Sequence, residues 1–576
     1  MIGNLNIKTI KFMKSILLLA FVWAGTLTFS GQKLKSPETS FMIQDSVMIP
    51  TRSGIPISAI IVRKKGNDHP VPAVLFYTTY YQGPGDVILG KRSADRDYVG
   101  IVAYARGIRT DLKNYSPYEH EGTDIYDIIE WINQQKWCNG KVGMMGGSYT
   151  GFSQWATAKK IHPALKTIVP QVAVMPGFDM PYENNVPISN ILSWSNDNIY
   201  KYPPLKRSLP FEWFDNGSSF RSMDSLSGRQ NPIFRKWIDH PAYDRYWQSL
   251  VPSPEEYDRI NIPVLSTTGY YDGSQLSALE YFKLHTRYNK NADHYFVIGP
   301  YDHIGGQRSA KPDLMGYTID PAAHINMGEL AYEWLDFILK GAPKPALLKD
   351  KVNYQVMGTN TWKHSPDLDK INNDTLTLYL TETKAGQGYL LGKKRPNRTA
   401  FIPQTVDFKD RENQNNYFTP TLIFDTLDTS NGVLYTTDPF DSDFEMSGSF
   451  TGNLFASINK KDLDVSLALY QILPNGQYFL LTRYVGRASY AKDNTKRQLL
   501  KPGKKESIPF HTTRFVSKKI AKGSRFAILL NTNKHPFEEI NYGSGKEVHD
   551  ETIQDAKEPL QIKWHNDSFI KIPVWK

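Results

Sequence analysis

A serine, an aspartate and a histidine stand in three glycine-bearing segments of this 576-residue chain, each following a short apolar run. Ser148 lies in Gly146-Gly147-Ser148-Tyr149-Thr150-Gly151, Asp272 in Gly269-Tyr270-Tyr271-Asp272-Gly273, and His303 in Gly299-Pro300-Tyr301-Asp302-His303. A serine hydroxyl is a weak nucleophile until a base takes its proton. A histidine does this, and a buried carboxylate fixes its tautomer and steadies the imidazolium. Taken singly, an aspartate after a strand is often a helix cap and a histidine in a turn is often only solvated. Three such residues at successive strand ends favour the chemical reading.

Asp302 is adjacent to His303, but neighbours in a tight loop rarely point at one another, so Asp272 is the expected acid. A metal site built from His294, Asp302 and His303 matches no usual ligand spacing. Neither metal nor cofactor is expected. The oxyanion of an acyl transfer needs donors, and the backbone N–H of Tyr149, directly after the nucleophile, is the first. The second should come from the loop after the 71–77 run, where Tyr80 or Tyr81 could donate through a phenol.

These residues require elements that present them on one edge. Lys141 to Gly146 reads as a strand that turns sharply at Ser148 into a helix, a strained posture that small neighbours permit. The second glycine stands at 151, one place later than in the common G-x-S-x-G form. The continuous apolar runs at 71–77, 98–105, 262–269 and 294–299 read as strands buried on both faces. Between them, Ile125, Ile128, Ile129 and Ile132 share one helix face, with Gly122-Thr123-Asp124 as its expected cap. Strands alternating with helices indicate a parallel α/β sheet, whose functional groups sit at the carboxyl ends of the strands. The order Ser, Asp, His along the chain is that of α/β-hydrolases.

Alternation fails from Met175 to Pro254, where aromatics and prolines, including Trp194, Trp213, Trp237 and Trp247, suggest a helical insertion over the sheet edge. Beyond Lys340-Gly341-Ala342-Pro343 the pattern changes to period two with turns such as Pro474-Asn475-Gly476, indicating a β-sandwich. The expected division is a signal peptide at 1–30, core at 31–170, helical cap at 171–257, core again at 258–345 and the C-terminal sandwich at 346–576.

Lys8, Lys11 and Lys14 precede a short apolar run and then small and polar residues, the pattern of a secretory signal. Export to the periplasm or medium is expected, with no stable membrane association once the signal is removed. Cys138 is the single cysteine, so no intrachain disulfide forms. The net charge of +10 falls to +7 without the three signal lysines, and the remaining basic clusters lack interleaved aromatics, which argues against a nucleic-acid partner.

The motifs resemble the serine hydrolases that group cocaine esterase, α-amino-acid ester hydrolases, glutaryl-cephalosporin acylases and X-prolyl dipeptidyl-peptidases. The likeness rests on the G-x-S-Y-x-G form of Gly146 to Gly151, on Arg106-Gly107, Trp137 to Gly143, Tyr271-Asp272-Gly273, Gly299 to His303, Trp334 to Gly341 and Val356 to Trp362. It implies an α/β-hydrolase core, an inserted helical cap and a C-terminal jelly roll. It also implies an oxyanion-hole tyrosine, which aligns with Tyr80, although Tyr77 and Thr79 replace the arginine and proline usual there. Members that grip a free α-amino group use cap carboxylates, for which Asp179 and Glu183 are the candidates. The expected function is an exported acyl hydrolase acting on a small ester, amide or short peptide, with X-Pro dipeptidyl-peptidase or β-lactam and α-amino-acyl acylase activity as the alternative substrates of the same machinery. From another class, a glycan-binding protein with a vestigial hydrolase core is the rival.

Overall fold

The computed structural model describes residues 36–67, 69–200, 204–414 and 421–576, so the expected signal segment at 1–30 lies outside the described residues. The chain enters a ten-stranded sheet through β1 (Phe41–Ile49) and β2 (Ile57–Lys64), which pair antiparallel. β3 (Val71–Thr78) and β4 (Val99–Tyr104) are buried at every position, as continuous Val, Ile and Ala runs with no polar face require. β5 (Cys138–Gly147), β6 (Leu165–Gln171), β7 (Val264–Gly269), β8 (His294–Gly299), β9 (Val352–Val356) and β10 (Thr361–Ser365) complete the sheet. The spatial order is β1-β2-β4-β3-β5-β6-β7-β8-β9-β10. From β4 to β9 all neighbours are parallel.

The chain leaves β3 toward β4 on one side and returns with β5 on the other, so the strand order reverses at β3. A crevice opens at the carboxyl ends of strands at such a reversal. Ser148 follows β5 there and Tyr80 follows β3.

Helices α1 (Pro84–Ala94), α2 (Glu121–Asn133), α3 (Tyr149–Ala158), α4 (Gln275–Tyr288) and α5 (Met327–Leu335) accompany the sheet. In α2 the four isoleucines are fully buried, as their spacing predicts. Its start differs from expectation. The helix begins at Glu121, and the Gly122-Thr123-Asp124 group lies inside it; Asp124 pairs with Arg106, while Glu121 turns back onto the N–H groups of Tyr118 (3.0 Å) and His120 (2.9 Å). Charge pairing with Arg106 outcompetes a cap for Asp124.

Between β6 and β7 lie short helices, among them Asn190–Ser195, Leu209–Asn216, Pro232–Ile238 and Arg245–Leu250, with a two-stranded ribbon, Tyr182–Glu183 against Val186–Pro187. Trp194, Trp213, Trp237 and Trp247 are all buried and form much of this insertion's interior.

From Asp374 onward the chain forms an all-β domain whose fourteen strands belong to one hydrogen-bonded sheet, eleven of them along one path and three branching from it. Alternation is visible in Phe401–Val406, where every second residue is buried. The last strand, Phe569–Trp575, pairs antiparallel with Asp374–Ala385, so the end of the domain closes on its start. One boundary shifts. β9 and β10 fall within 346–576, the span expected for the sandwich, yet β9 pairs parallel with β8 and extends the α/β sheet. Five buried residues in a row, Val352–Val356, suit a sheet interior rather than a half-exposed strand. Among the described residues no helix is long and apolar enough to cross a membrane.

Candidate active site

Ser148 sits between β5 and α3 with φ 62° and ψ −122°, a conformation a non-glycine residue adopts only when its surroundings enforce it. Enforcement is visible on both sides. The Ser148 N–H donates to Gln171 O of β6 (3.0 Å), and the Ser148 carbonyl accepts from the N–H groups of Gly151 and Phe152 (2.9 Å each). The late glycine has a steric reason: a Cβ at Gly151 would stand 2.8 Å from Ala173 Cβ and 2.9 Å from Gln171 O, because α3 crosses the end of β6 there. Position 150 holds a threonine, whose Cγ2 would stand 2.4 Å from a Cβ at Gly146. At Gly147 a Cβ would stand 2.2 Å from Gln307 Oε1, and Gln307 in turn donates from Nε2 to His303 O (2.9 Å). Close packing at Gly147 thus brings the serine turn against the histidine loop.

His303 follows β8 and donates from Nδ1 to Asp272 Oδ1 at 2.7 Å. Asp272 follows β7 and is fully buried. Its Oδ2 accepts from Thr268 Oγ1 (2.7 Å), and its Oδ1 also accepts from the Ser274 N–H (3.0 Å). Burial alone would raise this carboxyl; the charge and hydrogen bond of His303 and these two donors outweigh it and hold it below the ordinary range. Burial likewise disfavours the His303 imidazolium, but Asp272, with Asp302 and Asp179 farther out, more than offsets it and raises the ring above its usual value. Asp302 faces away, its Oδ1 accepting from the N–H groups of Ile304 (3.0 Å) and Gly305 (2.7 Å). His294 stands at the start of β8 against Ser266 Oγ (2.8 Å) and His285 Nδ1 (3.2 Å), so strand length separates it from His303.

The two tyrosines after β3 part company. Tyr80 hydroxyl meets the Ser148 hydroxyl and the backbone N–H of Tyr149, and accepts from the indole N–H of Trp194 at 3.2 Å. Burial pushes this phenol up in spite of those contacts, so it keeps its proton. Tyr81 is 44% exposed, edge-on to Tyr104 and under the Arg109 guanidinium. Tyr149 buries its own ring against Tyr118 and donates its hydroxyl to Glu121, whose carboxyl burial pushes up to about 7.

The two cap carboxylates differ. Asp179 is buried within electrostatic reach of Asp272 and His303, and its oxygens accept from the N–H groups of Met175 (3.1 Å) and Ser277 (3.2 Å); burial pushes it up to about 7. Glu183 forms a two-pronged pair with Arg514 of the C-terminal domain (2.9 and 2.8 Å). That pair cancels the charge an ammonium would need, which moves Glu183 from substrate recognition to the domain junction. Trp194, Gln307, Thr268 and Arg514 contact the site without any local motif that marks them. Trp194 and Arg514 act across long sequence separations, whereas Thr268 and Gln307 each bond a site residue four positions away.

Residues 53–305 match the family described as X-Pro dipeptidyl-peptidase (S15 family), and residues 348–558 match its C-terminal non-catalytic domain. The chain is 23% identical to cocaine esterase of Rhodococcus sp. (strain MB1 Bresler) over 93% of its own length and 99% of that protein's. In fold it is similar to an aminopeptidase from the marine sediment archaeon Thaumarchaeota archaeon, with TM-score 0.80 and 19% identity over 95% of this chain and 99% of the other. It is similar also to an α-amino acid ester hydrolase, with TM-score 0.74 and 20% identity over 96% and 100%.

Proposed function

Because this chain belongs to the serine hydrolases that join an X-Pro dipeptidyl-peptidase (S15) domain to its C-terminal companion, and is an enzyme that hydrolyses esters or peptides, we propose that Ser148 is its nucleophile, His303 its base and Asp272 the acid that orients the base. The observation that carries the reading is the 2.7 Å bond from His303 Nδ1 to a buried, ionised Asp272. With Nδ1 committed, Nε2 is the ring nitrogen that takes the serine proton.

Ser148 Oγ attacks the acyl carbon as its proton passes to His303 Nε2. The oxyanion is met by the Tyr149 N–H, directly after the nucleophile, and by the Tyr80 O–H, whose oxygen lies beside the Ser148 hydroxyl. Collapse expels the alcohol or amine, which leaves with the proton from His303, and an acyl-Ser148 ester remains. Water then enters, gives its proton to His303, and releases the acid by the same steps reversed.

The preferred substrate is a small ester with an apolar or aryl acyl group. The rings of Tyr118, Trp194 and Trp237 pack next to Tyr80 and Tyr149, with Trp194 stacked on Tyr118 at 6.0 Å and 9°. Asp179, beside the triad, favours a second reading in which an amino-acyl or X-Pro peptide group is gripped. A fluorophosphonate probe with short aryl esters tests the first reading: labelling and turnover are expected in wild type and lost in Ser148→Ala. Equal labelling of both proteins sinks the assignment. Faster turnover of X-Pro anilides than of esters selects the second. Residues 1–30 direct export on this reading, and cell fractionation should find the activity in the periplasm or medium.

A further inference from the structure

Asp272 lies in a short loop between β7 and α4, and much of what holds that loop comes from the C-terminal domain. Two strands of that domain are concerned, β11 (Tyr478–Arg487) and β12 (Phe515–Ile520). Gln275, fully buried at the start of α4, accepts from the Phe515 N–H at Oε1 (2.7 Å) and donates from Nε2 to Phe515 O (2.9 Å). The same Nε2 donates to Gly269 O (3.0 Å) and Tyr270 O (3.1 Å), the two residues that open the loop. Arg514 donates from Nη2 to Gly273 O (3.3 Å), directly after Asp272, while its fork holds Glu183 of the cap. Tyr271, directly before Asp272, donates its hydroxyl to Leu480 O of β11 (3.0 Å), and the Tyr270 ring stacks on Phe515 at 5.8 Å and 23°. The residues flanking the carboxylate on both sides are therefore fastened to the other domain.

We infer that the C-terminal domain positions the acid of the triad: Arg514, the Phe515 backbone and Leu480 O set the loop from which Asp272 reaches His303. The inference rests on the triad reading. Inside the hydrolase domain the loop has the Tyr270 N–H to Gly299 O (2.8 Å), Tyr271 N–H to Tyr301 O (3.1 Å) and Asp272 N–H to Gly269 O (3.2 Å) bonds at its first turn, and the Ser274 N–H to Asp272 Oδ1 (3.0 Å) and Gln275 N–H to Asp272 O (3.3 Å) bonds after it. After Asp272, the link at Gly273 comes from Arg514. A hydrogen bond of 2.7 Å tolerates little displacement, and shifts of about 1 Å in supporting residues can cost roughly a hundredfold in rate.

Two variants test this, each in the full chain. Tyr271→Phe removes one hydroxyl, and Arg514→Lys keeps a cation beside Glu183 while losing the fork that reaches Gly273 O. Combined, they are expected to lower kcat on an aryl ester by roughly tenfold with KM within about twofold, and to move the acid limb of the pH–rate profile to lower pH. The limb moves that way because a displaced Asp272 supports the imidazolium less. The charged groups that act on His303 are Asp272, by a hydrogen bond, and Asp302 and Asp179, through space, and neither variant alters them. In an Asp272→Asn background the same variants should add little further loss. An unmoved profile, with losses that multiply onto Asp272→Asn, overturns the inference and leaves the interface a matter of stability only. Full activity in Asp272→Asn itself overturns the triad reading, and this inference with it.

Discussion

Replacing Tyr80 by phenylalanine removes one oxygen from the centre of the candidate site and leaves its ring in place. That oxygen faces the Ser148 hydroxyl and the Tyr149 N–H, and the indole N–H of Trp194 donates to it at 3.2 Å. With the Trp194 indole N–H directed at the phenol oxygen, the phenol's own proton is left to point toward the reacting oxygen. In the transition state Tyr80 would then supply one of two oxyanion donors. Losing one such donor costs roughly a hundredfold to a thousandfold in kcat, or about 2.7–4 kcal/mol. KM should change little, because the ground-state carbonyl carries little of the charge that the donor meets. Steady-state kinetics on an aryl acetate measure both. Trp194→Phe, which removes the indole donor to the phenol together with part of a buried ring, should lose less, roughly two- to tenfold, as one neutral hydrogen bond of about 0.5–1.5 kcal/mol implies. In the Tyr80→Phe background that second change should have almost no effect. Tyr81→Phe, at an exposed ring, should behave as wild type. A loss below threefold in Tyr80→Phe, or one confined to KM, refutes the phenol's part in the oxyanion hole.

Other predictions follow from the same geometry. His303 must be neutral to accept the serine proton, and Asp272 raises it, so kcat/KM should fall on acidification with a midpoint above the ordinary histidine value of about 6.5. Asp272→Asn should cut kcat by roughly ten-thousandfold and shift that midpoint downward, both read from a pH–rate profile. The raised pKa has a stability consequence of the same sign: the pair's contribution is full below the unfolded histidine pKa and is lost as pH rises through the folded one, which pH-dependent thermal denaturation of Ser148→Ala can follow. Gly151→Ala should destabilise by about 1–3 kcal/mol, since its Cβ would meet Ala173 Cβ and Gln171 O inside 3 Å, and the drop should appear in denaturant unfolding.

Local chemistry explains which parts were legible. The buried strands declared themselves as unbroken apolar runs because a strand covered on both faces has no polar side to show. Ser148 was legible because a strained turn leaves its mark in glycines, and Asp272 and His303 because each closes such a run. The start of α2 differs from the local cap signal at Asp124, because a distant guanidinium at Arg106 decides what that side chain does. The sheet that β9 joins is settled by a similar long-range choice. A run of five residues carries no record of whether its neighbour will be β8 or a strand of the next domain.

By itself the sequence determined the order of the three candidate residues, the α/β pattern that lifts them to one edge, and the change to an all-β domain. Those properties are written in spacing and polarity, which act along the chain. The tertiary structure decided which of Tyr80 and Tyr81 reaches Ser148, which of Asp272 and Asp302 holds His303, and that Glu183 spends its charge on Arg514. Each of those choices depends on the direction of a side chain and on partners up to 331 positions away, and only the folded arrangement fixes such directions.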